Sequence, residues 1–80
     1  MSKTPMKLII NNKIHVLRAE RKISQEQLAK EIEVTRATIS SIEKGKYNPS
    51  LELAFRIALF FEKDLNDVFV VEGKVKDSHE

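Results

Sequence analysis

The chain has 80 residues, of which 41% are hydrophobic, and a formal net charge of +2. That is enough for one domain with a packed core, and the lack of cysteine excludes disulfides, thiol chemistry and cysteine-based zinc sites. The charge is uneven, because residues 1–50 hold ten Lys or Arg against five Glu, whereas residues 51–80 hold four against seven Asp or Glu. The basic first half suggests a surface that faces a polyanion.

The N-terminal part of the chain predicts a strand followed by a helix. Residues 1–6 are polar, lack the apolar centre of a signal peptide and are predicted to be flexible. Lys7–Asn11 is short, apolar and β-branched, which predicts a strand that ends in a turn. Ile14 and Leu17 then recur at helical spacing up to Arg21, which predicts the first helix.

Two short helices with recognisable start signals follow. Ser24 and Gln27 form the capping-box pattern, in which each side chain binds the other residue's backbone N–H. Thr35 is predicted to cap the next helix, where Ile39 and Ile42 lie three residues apart on one face. Two helices of about two turns with a short connection are typical of a helix-turn-helix, whose second helix enters the major groove of DNA.

A fourth helix is predicted after a loop at Asn48–Pro49. Ser50 is its predicted cap. Besides one regular apolar face, this helix carries Phe55, Leu59 and Phe60 elsewhere around its axis. Such a helix is usually buried on more than one side, so these residues are predicted to serve both the core and a contact with a second subunit.

The chain is predicted to end in a helical turn at Leu65–Val68, a strand at Phe69–Glu72 and a flexible polar tail at residues 73–80. An isolated strand is unstable, so Leu8–Ile10 is predicted to pair with Phe69–Val71. This ribbon would close the domain and leave a partly exposed apolar surface for dimerisation.

Several segments together resemble the Cro/lambda-repressor (xenobiotic-response-element) family. They are Ser24–Ala29, Thr35–Ser40 and Ile42–Ser50. Ile9–Asn12 and Asp67–Phe69 further resemble the terminal strands of the small stand-alone regulators similar to the cytolysin regulator. The resemblance covers roughly residues 7–72, which we therefore expect to form one DNA-binding and dimerisation domain.

This resemblance implies a mainly α fold, a five-helix lambda-repressor-like helix-turn-helix domain with a small two-stranded antiparallel sheet formed by the terminal strands. It also implies a homodimeric regulator, most simply a repressor, that binds an inverted-repeat operator in double-stranded DNA. No cofactor and no enzymatic activity are expected. The longest apolar run, Ile57–Phe61, is too short to cross a bilayer, and we expect a cytoplasmic protein.

The resemblance also assigns roles to individual residues. Arg36, Ala37 and Ser40 occupy base-reading positions, where an arginine can bind guanine and an alanine methyl can touch the thymine methyl. Arg18 and Glu43 match a pair that forms a structural salt bridge in the family. The predicted phosphate contacts are Gln25, Thr35, Thr38, Lys44, Lys46, Tyr47 and Asn48. The predicted dimer interface consists of Leu8, Ile10, Phe55, Leu59, Phe60, Leu65, Phe69 and Val71.

Three positions depart from the family pattern. Ala37 replaces a Gln that is common in the family, so the DNA specificity of relatives cannot be transferred. Glu33 replaces the usual turn Gly, and a left-handed backbone there would cost about 1–2 kcal/mol. Ile23 stands where a Gly often ends the first loop.

One other class of function is compatible with the sequence. An antitoxin-like protein-interaction module, with DNA binding secondary, is compatible with the apolar fourth helix and the terminal strands, and a regulatory protein partner fits the same features. A metal site has only His15 and His79 as imidazole donors, far apart in sequence, so no metal is expected.

Overall fold

The computed structural model describes residues 6–76, with side chains described for residues 7–73. The elements in chain order are β1 (Met6–Asn12), α1 (Ile14–Arg21), α2 (Gln25–Glu31), α3 (Arg36–Glu43), α4 (Leu51–Phe60), α5 (Leu65–Val68) and β2 (Phe69–Lys76). Over this part of the chain, five helices and one antiparallel strand pair confirm the predicted fold class. Within the same residues, no helix has the length and apolar character needed to cross a membrane.

Three helices begin at the side chains that the sequence predicted as caps. Ser24 Oγ accepts a hydrogen bond from the Gln27 N–H at 3.0 Å, and Gln27 Oε1 accepts one from the Ser24 N–H at 2.7 Å, which completes the capping box of α2. Thr35 and Ser50 each accept a hydrogen bond from the backbone N–H three residues further on, at 3.1 Å. These bonds satisfy backbone N–H groups that a helix leaves unpaired at its start.

The core is built from the apolar face of every helix. Each helix contributes one side chain with no solvent exposure. These residues are Ile14, Leu28, Ile39, Ile57 and Val68. Because these short helices have little intrinsic stability in water, this shared burial is what orders them relative to one another.

The terminal strands pair as an antiparallel ribbon, but not in the predicted register. The prediction placed Leu8–Ile10 opposite Phe69–Val71. In the structure Asn12, and not Ile10, lies opposite Phe69.

The register follows from the helices at the base of the ribbon. The Lys13 N–H donates to the Val68 carbonyl oxygen at 2.9 Å, immediately before the strand pair begins. Both residues adjoin helices that pack into the core, so the core fixes where pairing starts. A bulge between Ile9 and Ile10 then places Ile9 opposite Gly73, and bulges of this kind bend a strand and increase its twist.

Both strands extend further than the sequence indicated. β1 begins at Met6 and β2 ends at Lys76, so each enters a segment that was predicted as a flexible end. A strand lengthens readily where a partner is present, because each added residue pairs backbone groups that otherwise need water. The predicted flexibility of residues 1–5 and 77–80 lies outside the described residues.

Candidate nucleic-acid interface

The turn between α2 and α3 is closely packed. Ala29 is buried, and its carbonyl oxygen accepts a hydrogen bond from the Val34 N–H at 2.9 Å. Val34 is half-buried and packs against the core. Glu33 has a φ of 63°, so the residue that replaces the usual turn glycine does adopt the left-handed backbone. The turn therefore keeps the geometry of a helix-turn-helix, with local strain at Glu33.

The recognition helix α3 has one buried face and one open face. Ile39 and Ile42 are buried, whereas Arg36 and Ala37 are exposed and Ser40 is half-exposed. The three side chains predicted to contact bases therefore share the open side of the helix.

The end of α3 turns sharply into the following loop. Gly45 has a φ of 76°, and its N–H donates to the Ile42 carbonyl oxygen at 3.0 Å, while the Lys46 N–H donates to the Ser41 carbonyl oxygen at 2.9 Å. This pair of bonds is a Schellman motif, which favours glycine at the left-handed position. The turn brings an exposed group of predicted phosphate-binding residues next to the recognition helix, namely Lys44, Lys46, Tyr47 and Asn48.

A polar network ties both helices of the motif to α1. Arg18 binds the Glu43 carboxylate through two nitrogens, with Nε–Oε2 at 2.6 Å and Nη2–Oε1 at 3.2 Å. Arg18 Nη1 also donates to the Ile23 carbonyl oxygen at 3.0 Å, and Gln25 Nε2 donates to Glu43 Oε1 at 3.0 Å. The network thus joins the end of α3 to the start of α2, and through it Gln25 helps to hold the recognition helix in place.

This environment shifts the pKa of both charged members of the network. Burial alone would raise the pKa of Glu43, but hydrogen bonds from Arg18 and Gln25, together with the attraction of the guanidinium, hold it below its usual value. The hydrogen bond to Glu43 raises the pKa of Arg18 against the opposing effect of burial. The side chains of Arg18 and Glu43 are 18% and 9% exposed, so the pair is screened little by solvent.

At the start of α3, two hydroxyl groups contact each other. The Oγ1 atoms of Thr35 and Thr38 lie 3.0 Å apart, and Thr35 Oγ1 also accepts from the Thr38 N–H. The two threonines predicted to contact phosphate therefore also define the first turn of the helix.

Sequence reasoning gave no role to Asn12, which connects the ribbon to the recognition helix. Asn12 Nδ2 donates to the Ile42 carbonyl oxygen at 2.9 Å, and Asn12 Oδ1 accepts from the Ile14 N–H at 3.1 Å. The second bond is an Asx-turn between residues two positions apart, and it was open to prediction because asparagine commonly forms such turns. The first joins residues 30 positions apart, and no pattern in the sequence indicates it.

Two arginines that had no role in the sequence analysis also connect helices to one another. Arg21 lies over the rings of Phe60 and Phe61, with its guanidinium carbon 5.3 and 5.4 Å from the ring centres, and its Nη1 donates to the Phe60 carbonyl oxygen at 3.1 Å. Arg56 Nη1 donates to the Ile32 carbonyl oxygen at 3.0 Å. These contacts attach α4 to α1 and to the end of α2.

The predicted dimer-interface residues divide into exposed and half-buried sets. The exposed set is Leu8, Phe55, Leu59 and Val71. The half-buried set is Ile10, Phe60, Leu65 and Phe69, and of these Phe60, Leu65 and Phe69 pack against the core of the same chain. The exposed members leave apolar surface uncovered on both the ribbon and α4.

Known proteins with similar sequences are transcriptional regulators. The profile of the helix-turn-helix family matches residues 14–68. An uncharacterized HTH-type transcriptional regulator of Methanocaldococcus jannaschii is 51% identical over 63 residues, which are 79% of this chain and 96% of that protein.

More distant relatives act in both directions on transcription. The immunity repressor protein of Bacillus phage phi105 is 35% identical over 51 residues, 64% of this chain and 35% of the repressor. An HTH-type transcriptional activator of Enterococcus faecalis is 36% identical over 58 residues, 72% of this chain and 28% of the activator.

Solved structures share the same fold. A protein of Bacteroides fragilis superposes with a TM-score of 0.67 at 27% identity, covering 75% of this chain and 97% of that one. The restriction-modification controller protein of Aeromonas hydrophila superposes with a TM-score of 0.63 at 25% identity, covering 69% and 80%.

Proposed function

Because the chain belongs to the helix-turn-helix family of DNA-binding transcriptional regulators, we propose that it acts as a homodimeric repressor that binds an inverted-repeat operator. Regulators of this family act by binding DNA and not as enzymes. On this proposal the protein works in the cytoplasm, where prokaryotic DNA lies.

The open face of α3 carries the proposal. Arg36, Ala37 and Ser40 share this face while Ile39 and Ile42 anchor the helix from behind. An α-helix fits the major groove of B-DNA, where every base pair presents a different set of donors, acceptors and methyl groups. We assign base contacts to the three open residues, with Arg36 on a guanine.

The residues around both ends of α3 are assigned to the DNA backbone. Lys44 and Lys46 are exposed beside the Schellman turn, where their ammonium groups can approach phosphates. Gln25, Thr35, Thr38, Tyr47 and Asn48 add hydrogen-bonding groups on the same approach. Phosphate contacts of this kind fix the orientation of the recognition helix, whereas base contacts select the sequence.

A second copy explains the apolar surface that the single chain leaves open. Leu8, Ile9 and Val71 are 48%, 46% and 57% exposed on a two-stranded ribbon, and Leu59 on α4 is 73% exposed. An 80-residue domain buries a modest share of its surface, so covering these side chains by dimerisation adds stability. A two-fold dimer would place its recognition helices in successive major grooves, about 34–36 Å apart.

Repression is the simplest outcome for such a dimer. A protein bound across a promoter excludes polymerase without contacting it, whereas activation needs an additional favourable contact. A reporter gene placed behind the operator separates the two outcomes. Expression of the protein should lower the reporter signal, and a rise in the signal would instead assign it to the activators.

Selection from a random DNA duplex library at near-physiological salt tests the proposal directly. We expect enrichment of an inverted repeat with about 10 bp between the centres of its half-sites. Retention of DNA without any preferred sequence would contradict base contacts by α3. That result would favour the protein-interaction alternative, and a stoichiometric protein captured from host lysate would identify the partner.

Two substitutions separate the assigned roles. Arg36→Ala should relax the preference at one base pair per half-site, by about 1–3 kcal/mol. Lys46→Ala should weaken binding to every sequence. It should also reduce the salt slope, which is the slope of log binding constant against log salt concentration, by about one unit. A changed sequence preference with an unchanged salt slope in Lys46→Ala would show that the phosphate assignment is wrong.

A further inference from the structure

The open face of α3 contains an apolar notch whose lining combines one residue assigned to bases with two residues assigned to phosphates. It is an open hollow of about 280 Å³ between the recognition helix and the following loop. Its lining is predominantly apolar and consists of Ala37, Thr38 and Ser41 from α3 and Tyr47 from the loop. The hollow is smaller than the ~300–1,000 Å³ pockets that hold whole small molecules, so it suits the edge of a larger ligand.

One hydroxyl group of the notch is engaged within the helix cap. The Thr38 hydroxyl lies 3.0 Å from the Thr35 hydroxyl in the helix cap, and the methyl group of Thr38 is its apolar contribution to the notch. Ala37 offers only a methyl group. The phenol ring of Tyr47 supplies the opposite wall and is 46% exposed, although tyrosine rings usually bury their apolar faces.

Backbone structure holds Tyr47 beside the helix. The Schellman bonds from Gly45 and Lys46 back to α3 turn the loop immediately before Tyr47. Glycine is favoured there by its φ of 76° and not by lack of space, because a Cβ atom built on Gly45 would meet nothing within 4 Å. The position of the ring therefore follows from the helix end and does not depend on a flexible side chain alone.

The location and chemistry of the notch define its ligand. Ala37 lines the notch and also belongs to the face assigned to bases, so a base edge that reaches Ala37 also meets the notch. In the major groove, the apolar group that an unmodified base pair presents is the C5-methyl group of thymine. A 5-methylcytosine would present the same group from a different base.

We propose that this notch binds the C5-methyl group of a pyrimidine, a thymine in the natural operator, and that the Tyr47 ring is a specificity-determining element. The inference rests on the proposed DNA-binding function and extends it by one contact per half-site. Tyr47, predicted from the resemblance to contact phosphate, then has a ring that recognises a base and a hydroxyl that can still reach the backbone.

The test uses the full chain and the operator obtained by selection, with each thymine replaced in turn by deoxyuridine, which lacks only the methyl group. At one thymine per half-site we expect about a fourfold loss of affinity, the value for leaving one methyl-sized group unburied. Tyr47→Ala should bind the two DNAs equally at that position. Tyr47→Phe should keep the discrimination, because it removes the hydroxyl and not the ring.

Lys46→Ala is the matched control, since it should weaken binding to both DNAs by the same factor and keep their ratio. The ratio is measured within one protein, so a general loss of affinity or stability in Tyr47→Ala does not affect it. If every deoxyuridine substitution has the same effect on the wild-type protein and on Tyr47→Ala, the inference is wrong while the DNA-binding proposal stands. If no operator is enriched, both fail.

A second arm identifies the recognised group. At the same position, a cytosine and a 5-methylcytosine are compared. Tighter binding to the methylated base by about the same factor supports the methyl group itself, and equal binding to the two would overturn that assignment.

Discussion

Polar side chains in the helix-turn-helix fix the backbone, whereas apolar side chains in the terminal ribbon face solvent. At the starts of α2 and α3, the capping box and the Thr35 cap bind backbone N–H groups, and the Arg18–Glu43–Gln25 network joins α1, α2 and α3. On the ribbon, Leu8, Ile9 and Val71 remain about half-exposed. The first region is stabilised by contacts within one chain, whereas the second exposes apolar side chains that a second chain could cover.

The largest expected effect comes from opening the core beneath the recognition helix. Ile39 has no solvent exposure, so Ile39→Ala should lower the free energy of unfolding by about 2–5 kcal/mol. Val71→Ala on the exposed side of the ribbon should change it by less than about 0.5 kcal/mol in dilute protein. Urea unfolding measures both variants. Equal losses of stability would show that the ribbon position contributes as much to the fold of one chain as the core position does.

Next in size is the partly buried Arg18–Glu43 ion pair, which can be compared with an exposed pair in the same chain. Glu43→Ala leaves the Arg18 guanidinium without its carboxylate and should cost about 1–3 kcal/mol. Glu52→Ala removes the matching partner of Arg56, whose pair is 43% and 77% exposed, and should cost less than about 1 kcal/mol. Similar losses in the two variants would show that burial does not distinguish the pairs.

The same pair predicts a dependence of stability on pH. The pKa of Glu43 is lowered in the folded chain, so the unfolded chain takes up this proton first as the pH falls. The stability that the pair contributes is present above the ordinary glutamate pKa of about 4.3 and is lost as the pH falls through the lower folded value. In Glu43→Gln, the part of the pH dependence of the unfolding free energy that is due to this carboxyl group should disappear. Urea unfolding at a series of pH values would detect the change.

A smaller effect is expected on the association of two chains. Val71→Ser should raise the dissociation constant of the dimer about 10- to 100-fold, since a two-fold dimer covers two copies of this half-exposed side chain, and each contributes about 1 kcal/mol when covered. Leu59→Ser on α4 is the comparison variant. Sedimentation equilibrium measures the three proteins, and a larger effect of Leu59→Ser would move the interface from the ribbon to α4.

The smallest effect concerns the strained turn. Glu33 has a φ of 63°, and Glu33→Gly should raise stability by about 0.5–1 kcal/mol, because relief of about 1–2 kcal/mol exceeds the entropy cost of glycine, about 0.5–1 kcal/mol. Glu31→Gly, in α2, should instead lower stability by up to about 1 kcal/mol. The unfolding temperatures of the two variants should therefore shift in opposite directions relative to the wild-type chain. A lower unfolding temperature in both would show that Glu33 is not strained.

Local signals in the sequence were sufficient for most of the fold. The Ser24, Thr35 and Ser50 caps involve residues three positions apart, and the apolar spacing identified the buried faces of the helices. The family pattern identified Glu33 as the position of the usual turn glycine, and its backbone is left-handed. These features depend on contacts within one or two turns of chain, which a residue pattern records directly.

The candidate site could be predicted only in outline. Arg36, Ala37 and Ser40 were placed together because helical geometry puts them on one side of α3. The Gln25–Glu43 bond, the Asn12–Ile42 bond and the notch at Tyr47 bring together residues from different elements, at separations from six to thirty positions. The distances between such residues depend on how the helices pack, and no local pattern contains that information.

The sequence by itself determined where the helices begin, which faces they bury and which family the chain resembles, because these depend on neighbouring residues. Tertiary structure decided the register of the ribbon. It also decided the position of the Tyr47 ring, which forms one wall of the notch beside the recognition helix. The ribbon register is set at the Lys13–Val68 bond, where two packed helices meet, and one strand alone fits several registers. Pairing and packing between distant elements are chosen by the whole core, whose energy depends on all of its members together.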